Sequence, residues 1–211
     1  MLERDAERLY SVLNGQPYTV RDTITGATVF EQAVPYDEDA AIWAFMLSHP
    51  TTRDELYAYL ASRLQAPDGL LMTVADRRSD APIGMIMMMN SYPEHLKIEL
   101  GNILYAVVVQ ASHVNAESTY LCLAHLFSLG YQRVEWKCNA GNARSRRAAL
   151  RLGFAFEGVQ DFHFVIRKRR RDTAWYCMLA AEWAERRRGL ETFLFSMAQS
   201  KGAMGSLRAK L

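Results

Sequence analysis

Turn-forming residue pairs divide the first 36 residues of the chain into short segments. Asn14-Gly15 and Thr25-Gly26 flank the apolar runs at residues 18–20 and 27–30. Two short apolar runs separated by a glycine-containing turn are typical of a β-hairpin. We therefore predict a hairpin between residues 18 and 30.

Helical spacing begins at residue 39. Apolar residues recur every three or four positions through residue 47. Thr51 or Thr52 together with Glu55 has the spacing of a capping box, in which each side chain accepts a hydrogen bond from the other residue's backbone N–H. A second helix is therefore predicted to open there and to run through residue 64.

The middle of the chain carries three strand-like runs, at residues 70–76, 82–90 and 97–110. Residues 83–89 are apolar at almost every position, which indicates a strand covered on both faces. Polar turns separate the runs, so we expect three neighbouring strands with helices before and after them.

The second half alternates between helix and strand. Helical spacing predicts helices at residues 114–129 and 145–152, each followed by a glycine. Period-two alternation predicts strands at residues 133–138 and 173–179. Helices and strands that alternate around one mixed sheet define an α/β fold.

Composition excludes several classes of protein. The 211 residues are 50% apolar and 23% charged, with a net charge of +2, which fits one folded domain and excludes a disordered chain. No apolar run approaches the roughly 20 residues of a membrane-spanning helix, and the mixed-charge start lacks a signal-peptide pattern. We expect a cytoplasmic protein. The three cysteines lie in apolar patterns, which predicts buried thiols, and the histidines lack metal-ligand spacing.

A run of 19 residues resembles a known family. Residues 136–154, WKCNAGNARSRRAALRLGF, followed by Glu157-Gly158, are similar to the acyl-CoA-binding half of the GNAT N-acyltransferases. Within them the closest likeness is to the branch of the ribosomal-protein acetyltransferases RimJ and RimL. The resemblance continues through residues 171–183 and, more loosely, back to Tyr36.

The resemblance implies a fold and an activity. We expect an α/β, GNAT-like, mixed but mostly antiparallel sheet with a central splay, flanked by helices. The expected activity is N-acetyl transfer from acetyl-CoA to a primary amine, by direct transfer in a ternary complex. The acceptor is then a small-molecule amine or a protein N-terminus. We predict an N-terminal extension or hairpin at residues 1–30, the acyltransferase domain at 31–195 and a tail at 196–211.

The donor site is predicted at the amino end of the helix at residues 114–129, where free backbone N–H groups favour phosphate. Family members carry a glycine-containing loop there, and in this chain Ala111 and His113 occupy the glycine positions. Either the loop still turns or binding of CoA is weakened. Ser112, Asn115 and Asn142 have helix capping as an alternative role. The predicted donor contacts are Val107, Val109, Gln110, Ala111, Ser112, His113, Val114, Asn115, Asn142, Ser145 and Arg147.

Acyl transfer also needs an amine with a free lone pair, and an aliphatic amine is almost fully protonated at pH 7. Glu99, flanked by apolar residues on the third predicted strand, is the candidate base. The alternative is an edge-strand charge that faces solvent. Tyr176 and Ser145 are candidate proton donors to the CoA thiolate, with simple packing as the alternative for Tyr176.

Arginine clusters offer a competing function. The clusters at residues 144–147, 167–171 and 186–188 suit the phosphates of CoA, an acidic acceptor, nucleic acid or simple solvation. The alternative protein is a catalytically silent GNAT-like module or an RNA- or ribosome-associated binding protein. We expect acetyl-CoA and an amine as partners, no metal, no membrane, no nucleic acid, and a monomer or homodimer. The predicted loop at 167–171 is expected to border the acceptor entrance.

Overall fold

The computed structural model describes residues 2–166 and 168–200, with side chains described for residues 5–166 and 168–196. The helices are α1 (Leu2–Leu13), α2 (Arg53–Leu64), α3 (Val114–Ser128), α4 (Ala143–Arg151) and α5 (Ala180–Ser200). The strands are β1 (Tyr18–Arg21), β2 (Thr28–Gln32), β3 (Leu70–Ala75), β4 (Pro82–Tyr92), β5 (Lys97–Tyr105), β6 (Arg133–Asn139), β7 (Ala155–Ile166) and β8 (Arg169–Leu179). Short helical turns lie at Asp39–Trp43, Pro93–His95 and Val107–Val109.

Six strands form one mixed sheet in the order β3-β4-β5-β6-β8-β7. Every neighbouring pair is antiparallel except β5 and β6, which run parallel. β4 is buried at its first seven positions, as a strand covered on both faces requires. These findings confirm the predicted α/β class and the mostly antiparallel sheet.

The sheet splays at its centre. β5 and β6 pair from Lys97 opposite Arg133 only as far as Leu100 opposite Trp136. Beyond that point β5 continues to Tyr105 and β6 continues to Asn139, but the two strands share no further pairs. The predicted central splay is confirmed.

A bulge in β5 begins where the pairing with β6 ends. Gly101 is paired with Met87 and Leu104 with Met85, so β5 has one residue more than β4 in this interval. Asn102, inside the interval, has a left-handed backbone with φ of 48°. A bulge bends its strand and increases the local twist, which carries β5 away from β6 while its pairing with β4 resumes.

The N-terminal region contains a helix that the sequence analysis missed. The predicted hairpin is present as β1 and β2, but α1 precedes it. Ala6, Leu9 and Leu13 of α1 are buried in the same apolar cluster as the sheet. Their spacing of three and four residues is the signal that was available. The predicted domain division at residue 30 stays a prediction.

Two other segments differ from the sequence-based expectation. The helix predicted over 39–47 is only the turn Asp39–Trp43, because Trp43 is buried whereas Leu47 is exposed, so the apolar residues form no single stripe. Residues 169–171 belong to β8 and not to a loop, because their pairing with β7 continues to Ile166. Arg167 and residues 201–211 of the predicted tail lie outside the described residues.

Candidate active site

The gap between β5 and β6 presents two different faces. Side chains alternate along a strand, so Leu100 and Trp136 lie on one face of the sheet, and Glu99, Glu135 and Lys137 lie on the other. The first face is apolar and packs against α4. The second face is polar although it is largely buried, and it carries the predicted base.

On the first face, Asn142 and Ser145 tie α4 to the sheet. The Asn142 side chain accepts a hydrogen bond from the Ser145 backbone N–H at 3.0 Å and so caps α4. The Ser145 hydroxyl accepts a hydrogen bond from the indole Nε1 of Trp136, also at 3.0 Å. The capping alternative for Asn142 is therefore present in this structure, and its predicted contact with CoA stays a prediction.

Tyr176 lies on β8 directly opposite Trp136. It is almost fully buried, packs against the Phe156 ring, and accepts a hydrogen bond from Nε of Arg146 at 3.2 Å. Its own hydroxyl hydrogen is left to donate. Packing and proton donation are both compatible with this position.

The loop after β5 makes the turn that glycine usually makes. Ala111 adopts a left-handed backbone with φ of 55°, which costs an alanine about 1–2 kcal/mol. The loop thus turns, although a Cβ stands where family members have none. Val107 and Val109, expected on a strand, lie instead in a short 3₁₀ turn before the loop.

Polar side chains of this loop are engaged within the protein. The Ser112 hydroxyl donates to the Val109 carbonyl oxygen at 2.5 Å and accepts from the Val114 N–H at 3.2 Å. Asn115 accepts a hydrogen bond from the buried Tyr105 hydroxyl at 3.2 Å. Ser112 therefore satisfies the N–H of Val114, the first residue of α3, while His113 holds the N-cap position without a side-chain cap.

Glu117 places negative charge at the amino end of α3. Its carboxylate lies 3.8 Å from Nε2 of His113, inside the first turn of the helix. A carboxylate there competes with phosphate for the same helix terminus. A phosphate bound at this terminus would therefore lie beside the Glu117–His113 pair.

Arg144, and not Arg147, is the arginine beside the loop. Its guanidinium donates to Oε1 of Gln110 and to the Ala40 carbonyl oxygen, each at 3.3 Å. Gln110 also donates to the carbonyl oxygens of Ala41 and Tyr105. Both arginines are exposed on α4, so the contact with Gln110 is what distinguishes Arg144. The sequence could not rank these two arginines because helix spacing alone does not show which one turns toward residue 110.

Glu99 lies inside the sheet, so the solvent-facing alternative is wrong. β5 is a central strand and Glu99 is only 5% exposed. Its Oε2 accepts a hydrogen bond from Asn90 Nδ2 at 2.6 Å and forms an ion pair with Lys137 Nζ at 2.9 Å. Its Oε1 lies toward Gly101, where a Cβ would stand 3.2 Å from it. One carboxylate oxygen is thus anchored and the other is directed along β5 toward the gap.

Lys137 joins Glu99 to an aromatic group on β8. Its Nζ lies 4.1 Å from the centre of the Trp175 ring and 3.6 Å from Oε2 of Glu135. The ring of His163 lies 5.7 Å from Trp175, and its Nδ1 is 3.0 Å from the Thr173 hydroxyl. Burial lowers the pKa of His163, and the charge of Lys137 lowers it further.

Sequence reasoning missed the place of His163 in this cluster because a bulge creates it. Pairing between β7 and β8 shifts between Gln160 and Phe164, and Phe162 has a left-handed φ of 52°. The extra residues bring His163 to the face that carries Thr173 and Trp175. No local pattern of apolar and polar residues marks the position of such a bulge.

The described residues contain no group of three or more His, Cys, Asp or Glu side chains suited to a metal ion. Within the same residues, no helix is long and apolar enough to cross a membrane. All three cysteines are free and buried, as predicted, and burial raises the pKa of the Cys122 thiol to about 12.

The strained alanine of the loop gives a testable prediction. Replacing Ala111 with glycine removes the Cβ from a left-handed residue, so the free energy of unfolding should rise by about 1 kcal/mol in a denaturant titration. Ala66→Gly, at a loop position whose φ is negative, is the control and should lower stability. An equal decrease in the free energy of unfolding in both variants would show that the backbone of Ala111 is not strained.

Comparisons with known proteins identify the family. The model of the acetyltransferase (GNAT) domain matches residues 3–155. A GCN5-related N-acetyltransferase from Brucella melitensis is 27% identical, covering 92% of this chain and 79% of its own, with a TM-score of 0.77. A probable GNAT-family acetyltransferase from Chromobacterium violaceum is 27% identical, covering 87% of this chain and 82% of its own, with a TM-score of 0.72.

A protein from T. thermophilus described as an acetyltransferase is 31% identical over 75% of this chain and 84% of its own, with a TM-score of 0.67. No curated protein gives a significant match. The domain match covers more than half of the chain, and it includes α1 and the β1–β2 hairpin. The chain therefore belongs to the GNAT acetyltransferase family.

Proposed function

We propose that this protein is an N-acetyltransferase that moves the acetyl group of acetyl-CoA directly to a primary amine. The observation that carries the proposal is the gap between β5 and β6, which has the α4 cap on one face and a buried carboxylate on the other. Two substrates that approach from opposite faces can meet in such a gap. Holding both in place supplies much of the rate enhancement without a covalent enzyme intermediate.

The donor is expected to lie along the gap, with its pyrophosphate at the amino end of α3. Backbone groups of β5 and β6 that lack strand partners there suit the amides of pantetheine. The predicted contacts at residues 107, 109 and 110–115, with Asn142, Ser145 and Arg147, are retained as part of the proposal. We add Arg144, because its guanidinium already lies against Gln110.

The acceptor is expected on the face of Glu99. Oε1 of Glu99 takes a proton from the ammonium, directly or through one water, and the freed nitrogen attacks the thioester carbonyl. The new N–C bond forms, the C–S bond breaks, and the electron pair leaves with the CoA sulfur. The nitrogen gives up its second proton to solvent, and solvent returns a proton to the hydroxyl that protonates the thiolate, so the amide and the free thiol are the products. Ser145 or Tyr176 supplies the proton to that thiolate, since each hydroxyl accepts one hydrogen bond and keeps its own hydrogen to donate.

Finer assignments also belong to the proposal. They are the RimJ/RimL-like branch, an acceptor that is a small-molecule amine or a protein N-terminus, a cytoplasmic location, and a monomeric or homodimeric state. For the competing nucleic-acid function, one arginine of β8 and one of α5 are already engaged within the protein. Arg170 is paired with Asp161 and Asp172, and Arg187 is paired with Glu191.

Release of CoA thiol tests the proposed function. The protein is incubated with acetyl-CoA and a panel of primary amines, and thiol release is compared with acetylated product detected by mass spectrometry. Thermal unfolding with and without acetyl-CoA is recorded in parallel, since a ligand of the native state raises stability by about 2.7 kcal/mol at 100 times its Kd. Absence of both stabilisation and thiol release would overturn the proposal.

Removal of the proposed base should slow turnover most at low pH. Glu99→Gln is expected to lower kcat by about 100-fold or more near pH 6 and less near pH 9, where neutral amine is more abundant. Affinity for acetyl-CoA should stay nearly constant. The measurement is the pH profile of kcat/KM for the acceptor.

Glu135→Gln is the matched control for Glu99→Gln. It also removes a carboxylate beside Lys137, but it lies on β6 and its other partner is Arg133. It should leave the pH profile unchanged. Parallel pH profiles for Glu99→Gln and the parent would reject Glu99 as the base and would leave the acetyltransferase assignment standing.

Substitution of the α4 cap should weaken the use of acetyl-CoA. Asn142→Ala and Ser145→Ala are each expected to raise the KM for acetyl-CoA several-fold, and Asn142→Ala also costs about 1 kcal/mol of stability as a lost cap. Thr52→Ala removes the equivalent cap of α2 and controls for that loss. If the two α4 variants and Thr52→Ala have the same KM, then Asn142 and Ser145 have only a structural role.

A further inference from the structure

One arginine on the Glu99 face lacks the partner that its neighbours have. Arg133 is paired with Glu135 and Glu157, and Arg170 is paired with Asp161 and Asp172. Arg171 forms no ion pair within 4.0 Å in the described part of the chain. Its Nε is buried and has no hydrogen-bond acceptor there. Nε of Arg186 also lacks an acceptor, but Arg186 is paired with Glu182, whereas Arg171 has neither an acceptor nor a carboxylate partner. A buried donor without an acceptor is costly, so this combination suggests a partner that arrives from outside.

The position of Arg171 connects it with the proposed base. Arg171, Thr173 and Trp175 occupy alternate positions of β8 and therefore share one face of the strand. Trp175 contacts Lys137, which is paired with Glu99. A continuous line of side chains thus leads along β8 from Arg171 to the carboxylate at the base of the gap.

Electrostatic interactions support the same proximity. Burial lowers the pKa of Arg171, and the charge of Glu99 acts in the opposite direction. The pKa of His163 is lowered by Arg171 and raised by Glu99, so His163 senses both charges. The centre of the Phe164 ring lies 5.2 Å from Arg171 Cζ. This ring packs against the guanidinium but does not neutralise its charge. The site therefore has a half-buried positive charge on the same face of the sheet as the position proposed for the amine.

We propose that the acceptor is a small amine that also carries a carboxylate, and that Arg171 binds this carboxylate while the amine lies near Glu99. This inference rests on the proposed function. A guanidinium suits a carboxylate because two parallel N–H groups meet its two oxygens. A carboxylate that accepts hydrogen bonds from Nε–H and from one Nη–H of Arg171 would supply the missing acceptor. Arg171 is on this account a specificity residue that takes no part in proton transfer.

The proposal discriminates between classes of amine. A polyamine or an uncharged alkylamine offers nothing to Arg171, and a polyamine adds positive charge beside Arg171 and Lys137. When an amino acid binds, its ammonium lies toward Glu99 and its carboxylate pairs with Arg171, so both charges of the substrate have a partner of opposite sign.

A length series of ω-amino acids tests the inference on the intact protein. Each acid is compared with its primary amide, which has the same shape but no charge, and kcat/KM is measured by acetyl-CoA-dependent thiol release. The α-amino acids and their amides form a second set. At the best chain length we expect the acid to be preferred over the amide by about tenfold or more.

Variants of Arg171 locate the preference. Arg171→Gln should remove this preference. The kcat/KM for the acid should fall by about 10- to 100-fold because its KM rises, and the kcat/KM for the amide should change little. Arg171→Lys should retain part of it, since lysine keeps the charge and loses the paired N–H geometry. Arg188→Gln, an equal change of charge at an exposed position of α5, should behave as the parent does.

Two failures of this experiment are distinguishable. If amides are used as well as acids, or if Arg171→Gln lowers both equally, the inference about the carboxylate is wrong and the acetyltransferase stands. If no amine of either set releases thiol and acetyl-CoA does not stabilise the fold, the proposed function fails first. A protein that is stabilised by acetyl-CoA and prefers amides would also reject Arg171 as a carboxylate site.

Discussion

Four residue pairs hold the two halves of the sheet together. β5 and β6 share strand pairing only from Lys97 opposite Arg133 to Leu100 opposite Trp136. Each strand keeps a continuous partner on its other side, β4 for β5 and β8 for β6. The gap is therefore a stable feature of the fold and does not arise from frayed strands. Backbone groups that face it need hydrogen-bond partners, which solvent or an extended ligand rich in amides can provide.

The two faces of the sheet differ in chemistry because strand alternation sorts the residues that border this gap. Trp136 turns toward α4 and is anchored by Ser145, whereas Lys137, the next residue, turns toward Glu99 and Trp175. One dipeptide of β6 thus serves both faces. On the proposed function, the donor occupies the side defined by α4 and the acceptor occupies the side defined by the charged cluster.

Spacing of residues close in the sequence predicted most of the helices and strands. The contacts within the site depend on pairing between strands that are distant in the sequence. The Thr52 cap of α2 and the helix after residue 114 follow from spacing alone, and both are present, with the Glu55 carboxylate accepting from the Thr51 N–H. The partners of Glu99 could not be predicted, because Asn90 and Lys137 come from other strands and their approach depends on register. The sequence marked Ala111 as a departure from glycine, yet only the backbone reveals that the residue keeps the left-handed turn.

Hydrogen exchange of the backbone amides, with and without saturating acetyl-CoA, tests the central claim most directly. The claim is that the gap between β5 and β6 receives the donor. Amides of residues 101–105 and 137–142 should exchange more slowly when acetyl-CoA is present, while those of the β1–β2 hairpin should not change. Unchanged exchange in both segments of the gap, with protection elsewhere or nowhere, would contradict the account.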